Sequence, residues 1–252
     1  MTKIGILIPS TSRWCNWSTY QESHLYKYTL KTFLKTYDKE HHYIFYIGID
    51  KGDEIYDNED VKIKFKRFLS VMKNVDIEFI YMDGLAKGHL TVMWNSLFEK
   101  SYNDGCDYFF QCGDDIEFNT SGWVNDCIKA LLKSKNVGVA GPINNNVRIL
   151  TQSFVSRKHM ELFGYYFPPE IINWCCDDWI NEVYKEIKCY YPLQNHLCIN
   201  AGGPPRYIIN NDININQDNL VENTVKMREG CSEIVNRDLE RIKSQLILAF
   251  IE

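Results

Sequence analysis

The sequence predicts an α/β fold, a mainly parallel sheet flanked by helices and followed by a C-terminal helical tail. Three observations predict it. Apolar runs of strand length alternate with segments whose apolar residues recur at helical spacing. Three of those runs end on Asp residues. A chain of 252 residues with 45% hydrophobic content can also bury one large core. Alternation of this kind implies right-handed crossovers and parallel pairing, and such sheets collect ligands beyond the carboxyl ends of their strands.

Taken in order, "IGILIP" reads as a buried strand, and "TYQESHLYKYTLKTFLKTY" as a helix with Leu25, Tyr28, Phe33, Leu34 and Tyr37 near helical spacing. "HYIFYIGID" is a second strand ending at Asp50, and the polar loop after it turns helical towards "KFKRFLSV". "VDIEFIYMD" is a third strand ending at Asp83, "LTVMWNSLFEKSY" a helix, and "CDYFFQCGDD" a fourth strand ending at Asp114 and Asp115. Beyond it come a helix in "WVNDCIKALLKS", a short strand in "NVGVAGP", and a strand running into a helix in "TQSFVSRKHMELFGYY". "CCDDWINEVYKEI" is a helix whose first turn holds Asp177 and Asp178, where the helix dipole favours carboxylates. "INNDININQDN" reads as a linker, and the tail from Leu220 is helical with Leu239, Ile242 and Leu246 on one face. The expected division is a catalytic domain over 1–207 and a linker with helical extension over 208–252. That extension is open to homodimerisation or to docking an acceptor.

Lys plus Arg number 28 against 33 Asp plus Glu, a net charge of −5, which argues against nucleic acid as a partner. Nine scattered cysteines without paired CxxC spacing suggest reduced thiols and a cytoplasmic setting. No run approaches the roughly 20 apolar residues of a membrane span. The Asn, Lys, Ile and Tyr bias fits an AT-rich genome, bacterial or that of a large DNA virus, in which case the setting is the host cytoplasm.

Several of these segments, in this order, resemble a nucleotide-sugar glycosyltransferase of the A fold, with its single Rossmann-like domain. "IGILIPSTSR" resembles that family's first strand and nucleotide loop, and "YIGID" its second strand ending on an Asp that faces the nucleoside. "LAKGHLTVMWNSLF" resembles its Lys-Gly, spacer, Asn stretch, "FFQCGDDIEF" its DxD-type motif, and "WCCDDW" the Asp-Asp-Trp that supplies a base in inverting N-acetylglucosaminyltransferases. Gly113 departs from the pattern, standing where the family often has its first acidic residue.

The resemblance implies a sugar transfer from a nucleotide-sugar donor, foremost a UDP-sugar, to a glycan or protein hydroxyl, with Mn2+ or Mg2+ and with inversion, retention staying open because carboxylate spacing is not written in the sequence. A hard divalent ion stabilises the leaving diphosphate and takes few protein carboxylates. Asp115 is the expected ligand, with Asp114 on the ribose or a metal-bound water and His196 completing the metal shell from a loop. Asp177 and Asp178 are both candidates for the base. Pro9, Thr11, Arg13, Asp50, Lys87 and Arg206 are the expected nucleotide-sugar contacts, Arg206 through a phosphate oxygen. Two alternatives stay open. A sugar-phosphate nucleotidyltransferase would carry a Gly-rich loop after the first strand, and "PSTSRW" has no glycine. A catalytically silent glycan-binding module would use the tryptophans and has no need of Asp177 and Asp178.

Overall fold

A computed structural model describes residues 1–86, 88–146, 148–203, 206 and 220–248, with the side chains of the last helix at 231–245. Strands β1 (Lys3–Pro9), β2 (His42–Ile49), β3 (Val75–Tyr81) and β4 (Tyr108–Gln111) form the parallel half of an eight-stranded sheet. They pair as β3–β2–β1–β4, with Ile6 opposite Phe45 on one side and Phe110 on the other. Both faces of β1, β2 and β4 are covered, which is why these strands read as apolar runs, while the edge strand β3 alternates and leaves Asp76 exposed. Ile4, Ile6 and Ile8 enter one core with Leu25, Phe33, Phe45 and Phe65. Leu7 points into the other with Tyr46, Leu97, Phe98 and Phe109. Helix α3 (Leu90–Asn103) lies so close to β1 that a Cβ on Gly5 would stand 3.1 Å from Ser101.

The single helix expected between β1 and β2 is three pieces: a 3-10 turn at Tyr20–Glu22, a π-helical stretch at Leu25–Leu30, and α1 (Lys31–Thr36). The π-helical stretch has a structural use. Thr29 donates its hydroxyl to the Asp114 carbonyl at 2.8 Å and accepts from the Ile116 amide at 3.3 Å, so it holds the acidic loop after β4. Helix α2 (Glu59–Leu69) follows β2, capped by the Asn58 side chain on the Val61 amide.

The second half is mixed. It comprises β5 (Ile116–Phe118), α4 (Trp123–Leu132), β6 (Val139–Ile143), β7 (Ser153–Ser156), α5 (Arg157–Phe163), α6 (Cys176–Glu186) and β8 (Tyr190–Asn200). The sheet order is β3-β2-β1-β4-β7-β6-β8-β5, with β7 antiparallel to β4 and β6, β8 parallel to β6, and β5 antiparallel to β8. Strands β5 and β8 are absent from the sequence-based reading. Along β8 the register with β6 jumps from Leu193 to Leu197, so residues 194–196 bulge and erase the alternation that would mark a strand.

The last helix, α7 (Leu220–Leu248), packs on α5 and α6. Cys231, Val235, Leu239 and Ile242 are buried in the second core, and the buried Asp238 accepts from the Trp179 indole at 3.0 Å and the Tyr165 hydroxyl at 2.9 Å. The face of Leu239 and Ile242 is therefore used within the chain, and a homodimer through this helix would need a different face. The expected linker up to residue 219 lies outside the described residues. No helix among the described residues is long and apolar enough to cross a membrane.

Candidate active site at the carboxyl edge of the sheet

A cavity of about 920 Å3 opens where β1, β2 and β4 end, and it gathers most of the residues singled out from the sequence. Pro9, Thr11 and Arg13 reach it from the loop after β1, Asp50 from the end of β2, Asp114 and Asp115 from the loop after β4, and Arg206 from the chain beyond β8. Asp83 is exposed instead, and Met82 takes the place at the cavity wall.

In this half of the cavity the charges come in partnered sets. Arg13 Nε lies 3.2 Å from Asp50 Oδ2, and Thr11 Oγ1 donates to the same carboxylate at 3.3 Å. Asp53, absent from the sequence-based candidates, fixes the loop itself. Its buried carboxylate accepts from the Ser12 amide (2.7 Å), the Ser12 hydroxyl (2.8 Å), and the amides of Ile55 (3.0 Å) and Tyr56 (2.8 Å). The only signal for it in the sequence is its place in "DKGDE", three residues past the strand end.

Asp114 and Asp115 diverge although they are adjacent. Asp114 is buried, accepts from Ser10 Oγ at 2.5 Å, and forms an ion pair with Arg206. The same guanidinium donates to the Thr11 carbonyl and lies over the Trp17 ring, 5.4 Å from its centroid. Asp115 has no cation bonded to it among the described ion pairs. Burial, and then the charge of Asp114, push its carboxyl up to about 6. Gly202 lies directly against that carboxylate, where any Cβ would overlap it. A side chain at residue 202 would therefore displace Asp115, which makes this glycine a requirement of packing.

The opposite half is built by α6. Asp177 lines the cavity, and its closest partner is the Cys176 thiol at 3.7 Å; burial and then the Asp178 charge push its carboxyl up to about 7. Asp178 turns aside to Arg148, 2.5 Å away. The two candidate bases are thus separated by geometry: one faces the cavity and the other is ion-paired outside its lining.

His196 is not brought to Asp115. It sits in the β8 bulge, not in a loop, with Nε2 2.9 Å from Asp126 Oδ2 and Nδ1 3.2 Å from Thr120 Oγ1, and it does not line the cavity. Both ring nitrogens are engaged by α4 and the turn before it, which corrects its expected place in a metal shell. Lys87 lies outside the described residues. Asn95 is a packing residue, donating to the Phe167 carbonyl at 2.8 Å and accepting from the Tyr166 and Phe167 amides at 2.9 Å each. Among the described residues no cluster of three or more His, Cys, Asp and Glu could hold a metal by itself. The donor set, one unpaired carboxylate beside a paired one, fits a hard divalent ion that draws its remaining ligands from phosphate and water.

No family model matches the chain and no curated protein matches it in sequence. Solved structures do match in fold. S. aureus TarS 1-349 in complex with UDP-GlcNAc matches with a TM-score of 0.52 at 11% identity, over 81% of this chain and 60% of that one. The structure of S. aureus TarS matches with a TM-score of 0.49 at 11% identity, over 80% of this chain and 35% of that one. The chain thus spans between about a third and three-fifths of the structures it matches. The likeness shows a shared fold: the mixed, helix-flanked sheet has the architecture of the chain seen in complex with UDP-GlcNAc.

Proposed function

We propose that the chain is a metal-dependent glycosyltransferase that moves a sugar from a UDP-sugar to an acceptor hydroxyl on a glycan or protein, with inversion at the anomeric carbon. One observation carries this reading. A single cavity holds a partnered array of carboxylates and guanidinium groups in one half, and in the other a carboxylate, Asp177, raised to about 7. The fold shared with a chain seen in complex with UDP-GlcNAc supports a UDP-sugar as donor.

Asp50, with Thr11 and Arg13, is suited to the ribose hydroxyls or the uracil N–H. Arg206 is suited to a diphosphate oxygen, because it can exchange the Asp114 carboxylate for a phosphate of like charge and geometry. Asp115, with Asp114 beside it, would hold Mn2+ or Mg2+, which when bound would supply positive charge beside the leaving diphosphate. Asp177 accepts the proton of the acceptor hydroxyl as that oxygen attacks from the far face of the sugar, and a carboxyl near 7 is matched to that task at neutral pH. Asp178, held by Arg148, keeps the neighbouring charge in place that helps raise Asp177.

The test is release of nucleoside diphosphate from UDP-, GDP- and dTDP-sugars with Mn2+ added or chelated, in the wild type and in Asp115→Ala. Metal-dependent release from a UDP-sugar, lost in the variant, is the expected result. No release and no calorimetric binding of any sugar nucleotide would overturn the assignment.

A further inference from the structure

Two polar groups in the wall of the cavity have no hydrogen-bond partner. Gln152 is 2% exposed and its Oε1 is unpartnered; Trp94 is 9% exposed and its indole Nε1 is unpartnered; both residues line the cavity. Buried polar groups are ordinarily satisfied, so two orphans in one cavity wall call for an occupant or a use.

The chain on either side of Gln152 is pinned. The Leu150 amide donates to Asn181 Oδ1 at 3.0 Å, and Asn181 Nδ2 donates to the Leu150 carbonyl at 2.8 Å and to the Asp177 carbonyl at 2.7 Å. Ser153 donates to Gln111 at 3.2 Å, and its carbonyl accepts from Tyr166 at 2.7 Å. Asn181 thereby clamps the segment bearing Gln152 to the helix turn bearing Asp177. Trp94 lies edge-on against Phe167, with ring centroids 5.6 Å apart.

We infer that Gln152 and Trp94 select the transferred sugar, Gln152 accepting from a hydroxyl or acetamido N–H and Trp94 donating to a sugar oxygen. The inference rests on the glycosyltransferase reading. An orphan acceptor and an orphan donor beside the apolar Met82 and Met93 match a pyranose, whose rim carries hydroxyl or acetamido groups and whose faces carry C–H. Both orphan atoms are closed off from solvent as the side chains stand, so the occupant meets them once the Gln152 amide and the Trp94 indole turn about their broad terminal torsions.

Titration calorimetry with Mn2+ present, using UDP, UDP-glucose and UDP-N-acetylglucosamine, tests this in Gln152→Met and Trp94→Phe. The affinity for a sugar nucleotide relative to UDP is expected to fall about tenfold in each variant, with UDP binding itself unchanged. A fall for only one of the two sugars supports the inference and assigns the sugar. Sugar nucleotides that bind both variants with the wild-type ratio would overturn it and leave the glycosyltransferase reading standing. A wild type that binds none of these nucleotides overturns both. Trp94→Phe keeps the ring packing and carries the test if Gln152→Met does not fold.

Discussion

The two halves of the cavity solve opposite electrostatic problems. Under β1, β2 and β4 most charges are matched in advance: Arg13 with Asp50, Arg206 with Asp114, and Asp53 with donors from the loops after β1 and β2, while Asp115 alone has no cation among the described ion pairs. Beside α6 the polar groups are left wanting. Asp177 has a thiol at 3.7 Å, and Gln152 and Trp94 have orphan atoms. A ligand entering the first half must exchange partners, so its affinity is a difference between two sets of good interactions. A ligand entering the second half relieves groups that the fold holds at a cost. The difference suggests a division of labour, with recognition of charge in the half that is mostly matched, and chemistry in the half that is not.

The largest effect that could break this contrast belongs to Asp177. Asp177→Asn is expected to lower acceptor transfer about a thousandfold while leaving UDP binding intact, since a positioned general base contributes on that scale. In the wild type, kcat/KM should fall tenfold per unit below about pH 7, where burial and Asp178 place this carboxyl. Stability carries the same signature with a definite sign. The folded value stands above the free value of 3.8, so folding favours the protonated form. Stability is then greatest below about pH 4 and declines as pH rises through about 7. Denaturant titrations should find Asp177→Asn about 2 kcal/mol more stable than wild type at pH 8, with no difference at pH 4. A pH-independent gap would mean that Asp177 is already satisfied, and the two halves would no longer differ.

The half with the matched charges was also the half legible in the sequence, for a physical reason. Asp50, Asp114 and Asp115 terminate apolar runs, and the ends of parallel strands converge in any sheet of this kind, so local pattern sufficed to bring them together. Asp177 was legible as an acid pair at a helix start, although the choice between it and Asp178 depended on Arg148, thirty residues earlier in the chain. Gln152 carries no local signal and Trp94 was legible only as one of six tryptophans, because their placement depends on the Asn181 clamp and on how α3 packs. His196 shows the converse. A histidine near Gly and Pro reads as a loop ligand, but the bulge in β8 turns it towards Asp126, a partner seventy residues away. Asp53 was hidden likewise, since its donors lie in two different loops.

A second, smaller effect tests whether the matched charges are matched in the way described. Arg206→Met removes the cation from Asp114, which would stay 2% exposed and uncompensated. Breaking a buried pair from one side costs roughly 3 kcal/mol. In a chain of this size that corresponds to a melting temperature lower by about 9 °C. Adding Asp114→Asn should recover much of the loss, because the stranded charge is gone, and the double-mutant cycle gives the coupling directly. If Arg206→Met melts with the wild type, Asp114 is compensated by Ser10 alone, and the exchange of partners assigned to Arg206 has no basis.

The smallest effect on stability sharpens the comparison most, because it separates matched charge from needed charge. The Arg13–Asp50 pair is partly exposed, 38% and 24% at the two side chains. Pairs of that kind contribute about 0.2–1 kcal/mol. Asp50→Ala should therefore cost less than about 1 kcal/mol in a denaturant titration, yet weaken UDP binding about tenfold by removing a charged acceptor worth about 1.5 kcal/mol to a ribose or uracil donor. The ratio of the two losses is the informative quantity. A pair that exists to be exchanged with ligand shows a small folding loss and a larger binding loss. A pair that exists to hold the loop shows the reverse, and UDP affinity unchanged beside a loss of stability would make this half of the cavity scaffold, leaving recognition to Arg206 and Asp115.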